Sequence, residues 1–255
     1  MTVKVKHENN FDFLRLLFAF FVIITHSYVL LGFKEHDWMS DASGFTFSYL
    51  GVRGFFIISG YLIFKSLIRA KTIKNYLINR FLRLYPALIA VLVLTVGLGW
   101  IVSTNTVVDY FKTDTVWTYI PKNLTLYFLQ YPLSDNIFAN NPENFTINGS
   151  LWTLRYEFTM YIGLVFLFFI RKNKKMMQLF LFLYFLISLV LLFVFKDFIA
   201  SKHFLVNGYL FFELGIYFIA GSLLASIDFN KIKNHNRLLY ISMLVFILSS
   251  FFMIL

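Results

Sequence analysis

Long apolar runs constrain this chain more than any other feature of its sequence. Seven runs have about the 20-residue length that an α-helix needs to cross a bilayer. Lipid offers no hydrogen-bond partners to the backbone, so runs of this length predict helices. The sequence therefore predicts an all-α, polytopic membrane helix bundle with about seven spanning helices. The runs are Phe13–Phe33, Phe45–Phe64, Leu84–Val102, Leu151–Ile170, Met176–Phe195, Phe204–Ile227 and Leu238–Leu255.

The composition agrees with a membrane protein. Charged residues make up 14% of the chain, against about 25% in an average soluble protein. The chain has no cysteine, which excludes disulfides and cysteine-based metal sites, and we predict no metal ligands. The first run is too long for the core of a signal peptide and lacks a cleavage site of small residues. We therefore predict that it is a retained helix.

The distribution of lysine and arginine predicts the orientation in the membrane. With a cytoplasmic N-terminus, the loop between the third and fourth runs, Ser103–Ser150, is external. The net charge of +10 is then a topology signal, and we expect no nucleic-acid partner. The basic residues predicted inside are Lys4, Lys6, Lys65, Arg69, Lys71, Lys74, Arg80, Arg83, Arg171, Lys172, Lys174, Lys175, Lys231, Lys233 and Arg237, and those predicted outside are Lys34, Lys112, Lys122, Lys196 and Lys202.

The first run carries an arginine and a histidine on one helix face. Arg15 and His26 are eleven residues apart, close to three whole turns, and Asp12 can pair with Arg15 at i, i+3. Lipid disfavours ionisable groups, so this face should look into protein or water. Arg15 alone is also explained as an anchor at the interface. His26 is either a packed, hydrogen-bonded histidine or a group that transfers protons near neutral pH.

Other ionisable residues are predicted to meet His26 in the outer half of the membrane. These are Arg53 in the second run and Arg155 and Glu157 at the start of the fourth. They form either an ion-pair network that locks helices together or a site in which the carboxylate orients the histidine. Glu157 is also explained by the favourable field of a helix N-terminus. Glu213, in the sixth run, has no predicted partner.

The second and third runs each contain a further short pattern. Ser59 and Gly60 are small residues, which allow helices to approach closely. Arg80 and Arg83 share a face at the predicted inner end of the third helix. Two interpretations remain for these arginines: cytoplasmic topology charge, or a clamp for the phosphates of an anionic ligand.

Four segments match the motifs of a known family in the family's order. They read "FDFLRLLFAFFVIITH", "GVRGFFIISGYLIF", "NRFLRLYPAL" and "SLWTLRYEFTMYI". The first contains an arginine–ten residues–histidine signature, and the second an FF-x-x-SG-[FY]-LI segment. The third contains R-x-x-R-x-x-P and the fourth LW-[ST]-L-x-x-E. Lying within residues 11–162, they make the chain resemble membrane acyltransferase family 3, which includes O-antigen and exopolysaccharide O-acetyltransferases and Nod-factor acylases.

The resemblance implies a single transmembrane acyltransferase domain over residues 1–255. It implies an enzyme that moves an acyl group, expected to be acetyl, from cytoplasmic acyl-CoA to a hydroxyl of a cell-surface or exported glycan or glycolipid. Acetyl-CoA is then a donor substrate, and no bound cofactor is expected. His26 would be the general base or a transient acyl carrier, and Glu157 would orient it. The implied site residues are His26 and Glu157 for catalysis, Arg15, Arg80 and Arg83 for coenzyme A, and Arg53, Trp152 and Arg155 for the acceptor.

Other expectations concern the size and location of the protein. Family members typically have about ten spanning helices, so a chain with fewer is expected to be truncated from that fold. The expected location is the inner or plasma membrane of a bacterium, where the partners would be lipid and polysaccharide-assembly proteins. Two further hypotheses remain. One is a transporter or flippase, since charges within the membrane also mark transport paths. The other is a non-catalytic component of polysaccharide export.

Overall fold

The structure, a computed structural model, describes residues 10–33, 39–40, 44–134, 137–138, 142, 147–201 and 205–227. Helices dominate this part of the chain, which confirms the predicted all-α membrane bundle. Five of the helices described there, α1, α2, α3, α8 and α10, are long and apolar enough to cross a membrane. The helices are α1 (Phe11–Leu30), α2 (Phe47–Arg69), α3 (Ile73–Val102), α4 (Val107–Lys112), α5 (Asp114–Leu124), α6 (Trp152–Gly163), α7 (Val165–Phe168), α8 (Lys174–Val194), α9 (Lys196–Ala200) and α10 (Gly208–Ser226).

Five of the seven predicted runs correspond to these long helices, although the bounds shift. The third run begins too late: α3 starts at Ile73 and carries Pro86 within it. Thr72 caps its first turn by accepting a hydrogen bond from the backbone N–H of Asn75 at 3.1 Å, which explains the earlier start. The seventh run, Leu238–Leu255, lies outside the described residues.

The prediction of one continuous helix over Leu151–Ile170 is wrong. A short 3-10 turn precedes α6, and α6 ends at Gly163 before the four-residue α7. After the break, the backbone N–H groups of Leu167 and Ile170 bond to carbonyls three residues back, at 3.0 and 3.2 Å. Glycine is a weak helix former and favours such an interruption. The fourth run therefore contributes a shorter α6 that holds the motif residues in its first turns.

Helix α2 lies at the centre of the bundle and packs closely on α10. A Cβ atom added to Gly60 would clash with the carbonyl of Phe218, and one added to Gly221 would clash with the carbonyl of Ile57. The Ser222 hydroxyl donates to the Gly60 carbonyl at 3.1 Å. Glycine at both crossing points thus lets the two backbones touch, as small residues do between membrane helices.

Helix α1 packs chiefly against α2, among the elements the structure describes. The Phe18 ring occupies the space beside Gly54, and the hydroxyl of Thr25 accepts the backbone N–H of Ser48 at 2.8 Å. The other face of α1 leaves large apolar side chains uncovered, Leu16 at 71% exposure and Ile23 at 61%. Such a face fits a helix whose outer side meets lipid.

The predicted inner loops meet at one end of the bundle. The Arg171 guanidinium donates to the carbonyl of Ala70 at 2.5 Å, which joins the loop after α2 to the segment after α7. Gln178, near the start of α8, donates to the Ser226 hydroxyl at the end of α10 at 3.1 Å. We call this the basic end, because it gathers Lys65, Arg69, Lys71, Lys74, Arg171, Lys172, Lys174 and Lys175.

At the opposite end, the segment between α3 and α6 folds back onto α3. Tyr110 of α4 is buried, and its hydroxyl donates to the Val96 carbonyl at 2.8 Å. Asn148, in a left-handed conformation with φ of 55°, donates through its amide to the Thr95 hydroxyl at 2.7 Å and to the Tyr119 hydroxyl at 3.1 Å. Burial raises the pKa of Tyr119, so its hydroxyl stays protonated. These bonds fix where α6 begins.

Candidate functional site

A cavity of about 530 Å³ lies between α1, α2, α3 and α6. We call it the Arg15 cavity. Its apolar walls include Leu84, Ala87 and Val91 of α3. Against them stand two guanidinium groups and one carboxylate, an excess of positive charge that suits an anionic ligand. The polar and charged lining residues are Arg15, Ser59, Arg83, Thr153, Glu157 and Tyr161.

Glu157 is held in this cavity by two hydroxyl groups. Its Oε1 atom accepts a hydrogen bond from the Ser59 hydroxyl at 2.5 Å and another from the Tyr161 hydroxyl. Ser59 is near the middle of α2, so the Glu157 carboxylate lies about halfway along that helix, whereas we expected it in the outer half of the membrane. Ser59 therefore faces α6, whereas its neighbour Gly60 makes the close approach to α10.

Arg15 of α1 also lines this cavity. Its Nη1 atom is 3.7 Å from the carboxylate of Asp12, which is almost fully exposed. Its Nη2 atom is buried and has no hydrogen-bond partner among the described residues. A buried donor without a partner is costly, so the Arg15 guanidinium is not fully satisfied by the described residues around it.

Arg80 and Arg83 have different surroundings in the structure. Arg83 lines the Arg15 cavity, whereas Arg80 does not. Arg80 is 8% exposed and donates from Nη2 to the Ser66 hydroxyl at 3.0 Å, with its guanidinium 5.9 Å from the ring of Tyr76. Its Nε and Nη1 atoms are buried without partners in the described part of the chain. The structure thus brings together two of the three predicted phosphate-binding arginines.

A second cavity of about 460 Å³ lies toward the end opposite the basic end, between α1, α2, α6 and α10. We call it the His26 cavity. The ring of His26 has no hydrogen bond to any residue that the structure describes, so the expected pairing with Glu157 is absent and the two residues line different cavities. The charged and polar side chains that line it are His26, Thr46, Ser48, Tyr49, Arg53, Trp152 and Glu213.

Arg53 is fixed in the His26 cavity by a carboxylate that sequence reasoning left without a partner. Its Nη2 atom donates to Glu213 of α10, and each side chain is 14% exposed. Its Nη1 atom donates to the Tyr49 carbonyl at 3.1 Å, and the guanidinium lies 3.0 Å from the centre of the Tyr49 ring. The rule that a carboxylate within an apolar run needs a cation was the signal available for Glu213.

Arg155 lines neither cavity, unlike its neighbour Trp152. Its Nε atom donates to the Trp152 carbonyl at 3.2 Å, and its guanidinium lies 5.7 Å from the centre of the Tyr156 ring. Of the three residues predicted to contact an acceptor, Arg53 and Trp152 thus line the same cavity as His26. The contacts of Arg155 given above are with residues of its own helix, α6.

Comparison with known proteins adds evidence that is independent of this geometry. A family model described as an acyltransferase domain, that of acyltransferase family 3, matches residues 8–255. The chain is 37% identical over 158 residues to an O-acetyl transferase of Shigella phage Sf6, covering 61% of this chain and 45% of the relative. It is 33% identical over 178 residues to Nodulation protein 10 of Rhizobium leguminosarum bv. viciae, covering 66% and 46%. The chain thus spans about half the length of these curated relatives, and no solved structure matches it significantly.

Proposed function

We propose, from the premise that this chain belongs to acyltransferase family 3, that it is a membrane O-acetyltransferase. The donor is acetyl-CoA on the cytoplasmic side, and the acceptor is a hydroxyl of a cell-surface or exported glycan. One observation carries the proposal. Helix α1 places Arg15 in a positively charged cavity and His26 in a second cavity nearer the other end of the bundle. The name of the phage relative, O-acetyl transferase, supports acetyl as the group transferred.

The donor would bind from the basic end. Arg15 and Arg83 would hold the phosphates of coenzyme A, since one guanidinium group can donate two parallel hydrogen bonds to phosphate oxygens. The apolar walls contributed by α3 would accommodate the rest of the donor chain, with the thioester directed toward Glu157. Arg80, outside this cavity, would act on the phosphates only from the cytoplasmic mouth.

The acceptor would bind in the His26 cavity. Trp152 offers an aromatic face, and Arg53 a fixed guanidinium, for a sugar. His26 would take the proton from the acceptor hydroxyl as its oxygen attacks the thioester carbonyl carbon. The C–S bond breaks as the C–O ester bond forms, and the proton passes from His26 to the thiolate that leaves as coenzyme A. No bound cofactor enters this reaction.

We further propose that the chain is located in the cell membrane of a bacterium. The basic end would face the cytoplasm, as the positive-inside rule requires. The His26 cavity would then face the side on which glycans are assembled, where polysaccharide-assembly proteins would be its neighbours.

The proposal is tested by following labelled acetyl groups. Inner-membrane vesicles that contain the chain are incubated with [14C]acetyl-CoA, and the glycan fraction is assayed for label that mild base releases. We expect more base-labile label in the glycan fraction than in that of vesicles that lack the chain. In the His26→Ala variant, at equal membrane abundance, we expect the rate of acetyl transfer to fall by about 10²–10⁴-fold. Absence of base-labile label with the unaltered chain would overturn the proposal. A transporter or a non-catalytic component would give that result.

A further inference from the structure

We propose that Val52 of α2 is the wall between the Arg15 cavity and the His26 cavity, and that its side chain sets the largest acyl group transferred. This inference rests on the proposed function. Val52 lines both cavities. Its neighbours divide between them: Arg53 lines the His26 cavity, whereas Phe55 lines the Arg15 cavity.

The start of α6 shows the same division from the other side. Leu151 and Thr153 line the Arg15 cavity, and Trp152 between them lines the His26 cavity. Consecutive residues of α6 thus face different cavities, just as neighbouring residues of α2 do. The two cavities therefore adjoin where α2 passes the first turn of α6, and the half-buried Val52 is the side chain they share.

The backbone on either side of Val52 is held against α1. A Cβ atom added to Gly51 would lie 2.7 Å from the Phe18 carbonyl oxygen, and one added to Gly54 would enter the Phe18 ring. These contacts leave α2 no room to shift toward α1. With α2 held on that side, the side chain at position 52 sets the width of the passage between the two cavities.

The reaction requires contact across this wall. The thioester approaches from the Arg15 cavity, and the hydroxyl activated by His26 approaches from the other side. The acyl group must lie beside Val52 when the C–S bond breaks and the C–O bond forms. The branched methyl groups of valine occupy the space that a longer acyl chain needs. One methylene more or less in such a pocket typically changes specificity about 10–200-fold.

Substitution at position 52, with a matched valine as control, tests this inference. Val93 of α3 is 53% exposed and lines neither cavity. Vesicles with the unaltered chain, Val52→Ala, Val52→Trp, Val93→Ala or Val93→Trp receive acetyl-, propionyl- or butyryl-CoA. We expect Val52→Ala to raise butyryl transfer relative to acetyl transfer by about tenfold or more, and both Val93 variants to keep the original preference.

Val52→Trp should block the passage from every donor. We expect acyl transfer to fall at least about tenfold while binding of labelled acetyl-CoA stays within about threefold. A Val52→Ala variant with an unchanged donor preference would overturn the inference, whether or not Val52→Trp folds. If the unaltered chain transfers no acetyl group, the proposed function fails and the inference fails with it. If the unaltered chain is active and only the preference is unmoved, the inference alone fails.

Discussion

At the scale of single residues, Arg53 and Glu213 place opposite charges side by side where each side chain is only 14% exposed. Removing one partner of such a pair leaves a buried charge without compensation. That loss costs more than the pair contributes when both partners are present. The pair therefore ties α2 to α10 and also keeps the Arg53 guanidinium in the His26 cavity.

We predict that Glu213→Gln lowers the free energy of unfolding by about 3–5 kcal/mol. The double variant Arg53→Met/Glu213→Leu should lose less than the sum of its two single variants, because it leaves no unpaired charge. Unfolding by denaturant in detergent micelles measures both quantities. Asp114→Asn, at an exposed carboxylate, is the control. Additive losses in the double variant would contradict a coupled pair.

Glu157 is the second residue whose role its neighbours define. It shares a cavity with Arg15 and Arg83, so its negative charge weakens the field that those arginines offer to an anion. We predict that Glu157→Gln tightens equilibrium binding of labelled acetyl-CoA by about threefold. Asp114→Asn, at an exposed carboxylate that lines neither cavity, should leave donor binding unchanged. Weaker donor binding in Glu157→Gln would mean that the carboxylate itself contacts the donor.

At the scale of elements, the crossing of α2 and α10 depends on glycine, which has no side chain, at two positions. Any Cβ at Gly60 or Gly221 meets the backbone of the facing helix. A side chain could avoid such a contact by changing rotamer, but a backbone cannot. The two helices must then separate, and the bond from Ser222 to the Gly60 carbonyl is lost with them.

We predict that Gly60→Val and Gly221→Val each sharply reduce the yield of folded protein. Gly97→Val in α3 is the matched control, because a Cβ there meets no atom within 4 Å. Size-exclusion profiles of fluorescently tagged variants in mild detergent report the folded fraction. Equal profiles for Gly60→Val and Gly97→Val would show that the crossing tolerates a wider spacing than the structure has.

At the scale of the whole molecule, the two ends of the bundle differ in charge. The basic end joins the loop after α2 to the segment between α7 and α8, and the opposite end carries α4 and α5. By the positive-inside rule, we propose that the basic end faces the cytoplasm. The chain has no cysteine, so introduced thiols report their own side of the membrane without background.

We predict that Lys112→Cys is labelled by an impermeant thiol reagent in intact cells and that Lys71→Cys is labelled only after permeabilisation. Both lysines are exposed in the structure, so accessibility alone does not separate them. Labelling of Lys71→Cys but not Lys112→Cys in intact cells would invert the orientation and would place the donor cavity on the wrong side for cytoplasmic acetyl-CoA.

The sequence by itself determined the helices, their approximate bounds and the family. Each of these depends only on residues that are close together in the sequence. The length of an apolar run predicts a spanning helix, and the four motifs are short and contiguous. The pairing of Asp12 with Arg15 at 3.7 Å belongs to the same class, because three residues on one helix fix their own geometry. The helix break after Gly163 was also predictable from the sequence, because glycine is a weak helix former.

Only the tertiary structure decided which charges meet. Glu213 pairs with Arg53 across 160 residues of sequence, and Glu157 with Ser59 across 98. Sequence placed Glu157 beside His26 because both fell near one end of a predicted helix. Depth along a helix does not say which face turns toward which neighbour. That rotation is set where helices pack on one another, as α2 and α10 do at Gly60 and Gly221. Side-chain partners between helices follow from packing, and packing depends on all the helices together.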